Sequence, residues 1–460
     1  MAIITFVDIP VLAEELEMTV KLRFEAQDRI NLLAGVPKPL QKNRKQFSRG
    51  ILVLSGYLKQ KGRHEIRYFQ HADIHSKAFS EAISVSDFMG ITGNNSAYFN
   101  LVKDISTFIK NERSDIPVVV GGYHVTAMDI DVLKECESIT YVVRGEGELP
   151  FLELVNGEKP QSIKGLTYRE GTSIIRNPSQ TSLAVDELAQ PDYSILPGDL
   201  NDYNFNIQTV RGCIYRCAFC SNGYFWETTK PSPLQKIMDE ISFLNSRLKK
   251  GTIIHFSDNI FSLDRQRAIQ LLDEIIDRKI ELVFSCDLKA NHVDEMLIKK
   301  MKMANFVKIS LGFEDANDHV LNKSNKGLSF EDNVHAARTI KQYSDILVEA
   351  YWIIGLPGST HKSIYDNLSS IRFLLRQNIV DVISSSLVFT PLPGTPMFDD
   401  SRSFGITILT KDWGNYLRNQ LCPVYELDTL TRADLRAYNF LYEETILNEY
   451  RNILARAQCI

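Results

Sequence analysis

The sequence predicts an α/β protein in three successive parts. A Rossmann-like, doubly wound parallel sheet comes first, then a partial (β/α)6 barrel, then a helical C-terminal extension. Two runs in which strand and helix patterns alternate, over residues 1–155 and 205–400, predict the first two parts. Such alternation builds parallel sheets covered by helices. Residues 156–204 are left as a connector, and residues 401–460 are expected to be mostly helical.

In the first part, Ile3–Val7 reads as a strand, Gly50–Leu58 as a helix and Glu65–Phe69 as the second strand. Asp87–Thr92 gives a third strand and Tyr98–Lys110 an amphipathic helix. Pro117–Val120 is a buried strand ending in Gly121-Gly122, and Tyr141–Val143 ends in Arg144-Gly-Glu-Gly-Glu148. Open α/β sheets bind ligands at the carboxyl ends of their strands. Thr92, Asn94, Ser96, Gly121, Gly122, His124, Gly145 and Glu146 fall there and are candidate contacts. A Gly-Gly turn lets a large ligand approach the backbone. Asp73-Ile-His75 follows the second strand and reads as a surface turn.

The connector carries short strands and the turn-rich Arg169-Glu-Gly-Thr172. Asn206–Val210 then alternates like a short strand, and Leu234, Ile237, Met238, Ile241 and Leu244 recur at helical spacing. Further strands are expected at Ile253–Phe256, Leu282–Ser285, Val307–Leu311, Glu349–Ile354 and Ser386–Phe389. That makes six β/α units, short of the eight of a closed barrel. Reacting groups of a barrel sit where its strands end. Asp258, Asn259, Asp287, Lys289, Ser310, Glu314 and the Gly355-Leu-Pro357-Gly turn occupy such places. His255 and Cys286 lie inside strands and read as packed residues. Thr431-Arg-Ala-Asp434 resembles a capping box before Leu435, Tyr438 and Leu441, with Cys422 in the loop before it.

Between the Asn206 strand and the Leu234 helix lies Arg211-Gly-Cys-Ile-Tyr-Arg-Cys-Ala-Phe-Cys220. Its C-x3-C-x2-C run places Cys213, Cys217 and Cys220 close enough to wrap one metal centre. Structural zinc wants a fourth Cys or His at a readable spacing, and no paired motif follows nearby. An iron–sulfur cube held by three cysteines keeps one iron open for chemistry. Tyr224-Phe-Trp226 follows the loop, to shield it or to pack.

The spacing and flanks resemble the radical S-adenosylmethionine (radical SAM) superfamily. Val119-Val-Gly-Gly-Tyr-His124, then Val142-Val-Arg-Gly-Glu-Gly-Glu148, upstream of the cysteines, looks like the N-terminal cobalamin-binding domain of one large class in it. The resemblance implies that Cys213, Cys217 and Cys220 hold a 4Fe–4S cluster whose open iron takes the amino and carboxylate groups of S-adenosylmethionine. It implies that Asp258, Asn259, Ser310, Glu314, Gly355 and Pro357 surround that molecule, with Ser310 and Glu314 at its ribose or amino group. The strand-end residues of the first part would face cobalamin. The Asp-x-His-x-x-Gly signature of other cobalamin proteins is absent, as in many members of this class. Glu227-Thr-Thr-Lys-Pro stands where related enzymes often carry arginines.

The implied activity is reductive cleavage of S-adenosylmethionine to a 5′-deoxyadenosyl radical, which attacks an unactivated C–H of a peptide or natural-product substrate. With cobalamin the outcome is C-methylation. Without it, Cys422 returning a hydrogen atom would give epimerisation; dehydration and rearrangement are further outcomes, and a non-catalytic carrier is the least expected. Tyr215, inside the cysteine loop, joins Cys422 as a candidate catalytic residue. An electron donor such as flavodoxin or ferredoxin is the expected partner. Composition agrees with an ordinary globular enzyme: 460 residues, 44% hydrophobic, 24% charged. A net charge of −5 argues against nucleic-acid binding. Neither a membrane span nor a signal peptide is readable, and seven cysteines, three clustered, suit a reducing cytoplasm.

Overall fold

A computed structural model describes residues 1–9, 25–30, 44–180, 183–184, 187–226, 228–384, 387–418 and 421–457. The first sheet contains β1 (Ile3–Asp8), β2 (Glu65–Gln70), β3 (Phe88–Thr92), β4 (Val118–Gly121) and β5 (Tyr141–Val143), all parallel. Their order is β2-β1-β3-β4-β5, a doubly wound arrangement whose direction of winding reverses beside β1. Strand side chains alternate between faces. Val119 enters the core under helices Arg49–Gly62 and Glu148–Val155, while Val118 and Val120 enter the core under Lys77–Val85 and Phe99–Glu112.

Two more strands extend this sheet. β6 (Leu166–Glu170) pairs antiparallel with β5, and β7 (Ser173–Arg176) pairs antiparallel with β6. The first half of the connector therefore belongs to the sheet, because Leu166 and Tyr168 bury their side chains against it.

The second sheet begins at β8 (Phe205–Ile207). The strand expected over Asn206–Val210 breaks after Ile207, and β9 (Val210–Arg211) turns aside to pair with β10 (Lys230–Pro231). The cause is Asp258, which takes the amides of Thr209 and Val210 that a continuous strand would give to its neighbour. Then follow β11 (Ile253–Phe256), β12 (Val283–Leu288), β13 (Phe306–Glu314), β14 (Leu347–Ile354), β15 (Val382–Ile383) and β16 (Leu387–Val388). The parallel order is β15-β14-β13-β12-β11-β8, with β16 also on β14, so six strand positions make an open barrel. One hydrophobic core runs from the first sheet into it through Phe47, Tyr193 and Phe205. Arg49, at the start of its helix, forks onto Glu240 of the helix Leu234–Arg247 at 2.6 and 2.8 Å.

The C-terminal part is less purely helical than expected. β17 (Ile406–Ile408) and β18 (Tyr425–Leu427) form an antiparallel hairpin before the 26-residue helix Arg432–Ala457. The capping box is present: Asp434 accepts from the Thr431 amide at 2.9 Å, and Thr431 Oγ1 accepts from the Asp434 amide at 3.2 Å. The long helix lies on His361–Arg376, and the Tyr450 hydroxyl both accepts from the Ile383 amide and donates to its carbonyl at 2.7 Å. Phe398, Trp413, Tyr416 and Val424 return to the first sheet and join its second core. Among the described residues, no helix is long and apolar enough to cross a membrane.

Candidate active site at the sheet–barrel junction

The cysteine loop is held from several sides. Gly212 sits at φ +89, and a Cβ there would meet the Thr228 carbonyl at 2.5 Å, so only glycine fits. Asn259 Nδ2 donates to the Gly212 carbonyl at 3.0 Å. The Ala218 amide donates to the Ser324 carbonyl at 2.9 Å, and the Met397 amide donates to the Ala218 carbonyl at 3.2 Å. Cys213, Cys217 and Cys220 are free and half-buried. Burial pushes the Cys217 thiol up, opposed by the Lys326 and Lys289 ammonium groups, and pushes Cys220 up to about 11. Coordination to a metal removes that cost, since the metal holds the thiolate. Among the described residues no three Cys, His, Asp or Glu side chains converge on a single ion. Thiolates bound to three different irons of a cube need not converge.

Asp258 and Asn259 are both committed to this loop. Asp258 accepts from the Thr209 amide and hydroxyl at 2.6 Å and the Val210 amide at 2.8 Å, and burial raises its carboxyl to about 6. It braces the strand rather than facing a ligand. We predict that Asp258→Ala costs about 3 kcal/mol, because two buried amides lose their partner. Urea unfolding would measure it, and a cost below about 1 kcal/mol would mean that water replaces the carboxylate.

At the barrel rim, Glu314 adopts φ +63 and pairs with Lys326 at 2.7 Å. Burial works against the Lys326 ammonium, but Glu314 beside it keeps its pKa above the usual range. Ser310 does not stand with Glu314; its hydroxyl points into the barrel and donates to Glu349 at 2.9 Å. Gly355 and Pro357 are buried, the former under the C-terminal part. The Tyr425 hydroxyl donates to the Gly355 carbonyl at 2.7 Å, and a Cβ on Gly355 would strike Leu435 and Tyr425 at 2.5 Å. Inside the cysteine loop, the Tyr215 hydroxyl meets His292 Nε2 at 2.9 Å, and Lys289 Nζ lies 3.3 Å from its ring centre. Cys422 is exposed, with Arg432 Nη2 2.6 Å from its sulfur.

A cavity of about 290 Å³ separates the first sheet from the barrel. Thr92, Asn94, Gly121, Gly122, Gly145 and Glu146 line it, as the strand-end rule predicts. Gly122 lies at φ +122, and a Cβ would meet Asn94 Oδ1 at 2.2 Å. A Cβ on Gly145 would meet nothing within 4 Å, so its backbone opens onto free space. Glu146 is spent on Lys230, whose ammonium reaches both its oxygens at 3.0 Å. The opposite wall holds Arg211, Phe225 and Trp226. Trp226 Nε1 donates to the Tyr123 hydroxyl at 3.1 Å, and the Phe225 and Tyr123 rings lie 4.1 Å apart. The aromatic residues after the cysteines thus close onto the Gly121-Gly122 turn. Sequence reasoning missed Tyr123, Arg211, Glu148 and Lys230 as parts of this junction; only their charge or polarity at otherwise buried positions signalled them.

Ser96 and His124 do not line the cavity. His124 lies on the other side of the sheet, bonded to Ser96 Oγ at 2.8 Å and packed edge-on against Trp413. Burial lowers it to about 3. The sign follows from linkage: between about pH 6.5 and 3 the unfolded chain binds a proton there that the fold excludes, so stability falls as pH falls through that window. We predict that wild type loses about 2 kcal/mol more than His124→Phe between pH 7 and pH 5 in urea unfolding. Equal losses would show that His124 does not carry the effect.

Comparison with known proteins agrees with this architecture. Residues 207–371 match the radical SAM superfamily, and residues 45–155 match the B12 binding domain. An uncharacterized methyltransferase of Pyrococcus horikoshii is 29% identical over 361 residues, 76% of each chain. The anaerobic magnesium-protoporphyrin IX monomethyl ester cyclase of Rubrivivax gelatinosus is 25% identical, covering 84% of this chain and 71% of its own. The fold is similar to that of the radical S-adenosylmethionine methyltransferase TsrM from Kitasatospora setae, solved with cobalamin and a [4Fe-4S] cluster. That match has a TM-score of 0.68 at 18% identity, over 90% of this chain and 78% of that one. The chain belongs to the radical SAM superfamily, in the class with an N-terminal cobalamin-binding domain. It is a radical SAM enzyme with a B12-binding domain, and these are the domains that take S-adenosylmethionine with a 4Fe–4S cluster and cobalamin. The donor set fits: three thiols on one braced loop, and a glycine-edged cavity walled by Arg211, Phe225 and Trp226, which flank that loop in sequence.

Proposed function

We propose that this enzyme is a cobalamin-dependent methyltransferase that places a methyl group on an unactivated carbon of a peptide or natural-product substrate. The observation that carries this is the shared cavity, walled on one side by the B12-domain strand ends and on the other by Phe225 and Trp226, directly after the cysteines. When bound, the cluster, S-adenosylmethionine and cobalamin supply one-electron reduction and methyl transfer. The chain supplies position. Cys213, Cys217 and Cys220 hold the cluster, Asn259 fixes the start of their loop, and Trp226 and Phe225 keep water from the junction. Glu314 and Lys326 offer opposite charges at the rim for the zwitterionic end of S-adenosylmethionine. Cys422, exposed and bound to Arg432, takes no part. We place the enzyme in a reducing cytoplasm, with a flavodoxin- or ferredoxin-like protein as electron donor.

The test is anaerobic reconstitution with iron, sulfide and hydroxocobalamin, then desalting and metal analysis. About four irons with stoichiometric cobalt, and 5′-deoxyadenosine or S-adenosylhomocysteine on reduction with S-adenosylmethionine, support the assignment. Iron without cobalt overturns it.

A further inference from the structure

The inside of the half-barrel is polar where such barrels are ordinarily filled with branched apolar side chains. The register shows how. Asn206, His255, Ser285 and Lys308 lie side by side across β8, β11, β12 and β13. One rung further, Asp287, Ser310 and Glu349 lie side by side across β12, β13 and β14, and Gly312 and Tyr351 follow. The intervening residues Ile254, Phe284, Cys286, Ile309 and Leu311 face the other way, into the apolar core. The polar set therefore shares one face, the lumen.

Within these two rungs the carboxylates of Asp287 and Glu349 outnumber the single ammonium of Lys308. Lys308 Nζ meets Glu349 at 2.7 Å, which also accepts from Ser310, so this pair is complete. Asp287 has only weaker company: the Tyr351 hydroxyl donates to it at 3.1 Å, and His255 Nε2 stands 3.8 Å away. Burial lowers His255, despite Asp287, so the imidazole is neutral at neutral pH, with its Nδ1 bonded to Ser285 at 3.1 Å. Among the described residues, Asp287 forms no ion pair with a lysine or arginine. The side chains of Asp287 and His255 nonetheless keep 29% and 32% exposure, against 7% for Glu349, so they face open space. Burial raises the Asp287 carboxyl, opposed by His255, the Tyr351 hydrogen bond and Lys308, and a cation placed beside it would offset that cost.

Height along the barrel places this group. Lys289, two residues beyond Asp287, stands over the Tyr215 ring of the cysteine loop. Two strand residues rise about 7 Å, so Asp287 lies one layer below the cysteines, where a substrate would meet the reacting centre.

We propose that Asp287, flanked by His255 and Tyr351, anchors an ammonium group of the substrate, which makes the substrate class a primary amine. This rests on the assignment of a methyltransferase whose substrate enters the barrel lumen. The ammonium displaces water from between the three side chains. Its charge is met by Asp287, and the neutral His255 Nε2 accepts one of its N–H bonds.

The test is equilibrium binding to reconstituted protein by ligand-observed NMR, with 2-phenylethylamine and the isosteric 2-phenylethanol as probes. Wild type is expected to hold the amine at least tenfold more tightly than the alcohol, and Asp287→Asn to lose at least tenfold for the amine alone. Equal binding of the two probes, no binding of the amine, or an unchanged amine affinity in Asp287→Asn overturns the anchor. Phenylalanyl-glycyl-glycine and its N-acetyl form separate the sources: a free-N-terminus advantage matching that of the amine assigns a peptide terminus, and its absence a free small amine. Should Asp287→Asn fail to fold, carbodiimide coupling of 2-phenylethylamine to folded wild type, mapped by mass spectrometry, decides. An amide at Asp287 is expected, and its absence overturns the proposal. Cobalt is counted on the same sample, so amine binding without cobalt sinks the methyltransferase assignment and leaves the anchor standing.

Discussion

Arg211→Met is expected to destabilise the protein by about 3–5 kcal/mol, the usual consequence of removing one partner of a buried ion pair. Arg211 Nη2 lies 2.7 Å from Glu148 Oε1, and the two side chains are 10% and 7% exposed. The guanidinium also lies 5.7 Å from the Trp226 ring centre. Glu148 opens the helix after the last parallel strand of the B12 domain, and Arg211 immediately precedes the cysteine loop. Losing the guanidinium strands a carboxylate in the seam between the two domains. The double variant Arg211→Met with Glu148→Leu should recover most of the loss, since two apolar groups of similar size often replace a buried pair without cost. Urea unfolding of both variants checks this. A single variant within about 1 kcal/mol of wild type would mean that solvent reaches the pair and that it does not hold the domains together.

Cys217→Ser is expected to abolish iron retention and reductive cleavage of S-adenosylmethionine while leaving the fold intact. A cube bound by two thiolates is labile, and a hydroxyl in place of this half-buried thiol lies outside the hydrophobic core. Cys286→Ser makes the opposite case. Cys286 is fully buried in β12, so the hydroxyl should cost about 1–3 kcal/mol yet leave iron content unchanged. Metal analysis and thermal melting of the two variants separate the roles. Iron retained by Cys217→Ser would remove the loop from the cluster site.

Much of this was legible in the sequence. The alternation of Val-Val-Val runs with amphipathic helices gave the first sheet, because parallel strands buried on both faces read as continuous apolar runs. The three cysteines were legible as a candidate centre, since their spacing is local, and the structure keeps them on one half-buried loop. What was not legible depended on distant partners. The break after Ile207 is caused by Asp258, and nothing near Thr209 announces it. Glu146 reads as a ligand contact until Lys230 is brought to it by the fold. His124 follows the Gly-Gly turn and so seemed to face the cavity, but the short helix there rotates it to the far side, under a tryptophan almost three hundred residues away. His255, in Ile-Ile-His-Phe, looked packed for the same reason that parallel strands look uniformly apolar; only the register with Ser285 and Lys308 showed that its face is wet.

The double hydrogen bond between Tyr450 and Ile383 bears on how the open barrel avoids its neighbours. A half-closed sheet leaves an outermost strand whose free amides and carbonyls are a template for another chain. Here that strand is only two residues long, and one phenolic hydroxyl occupies both polar groups of Ile383, as a missing strand would. The C-terminal helix thus closes the last edge of the open barrel to strand pairing at Ile383, through one tyrosine far from the chemistry.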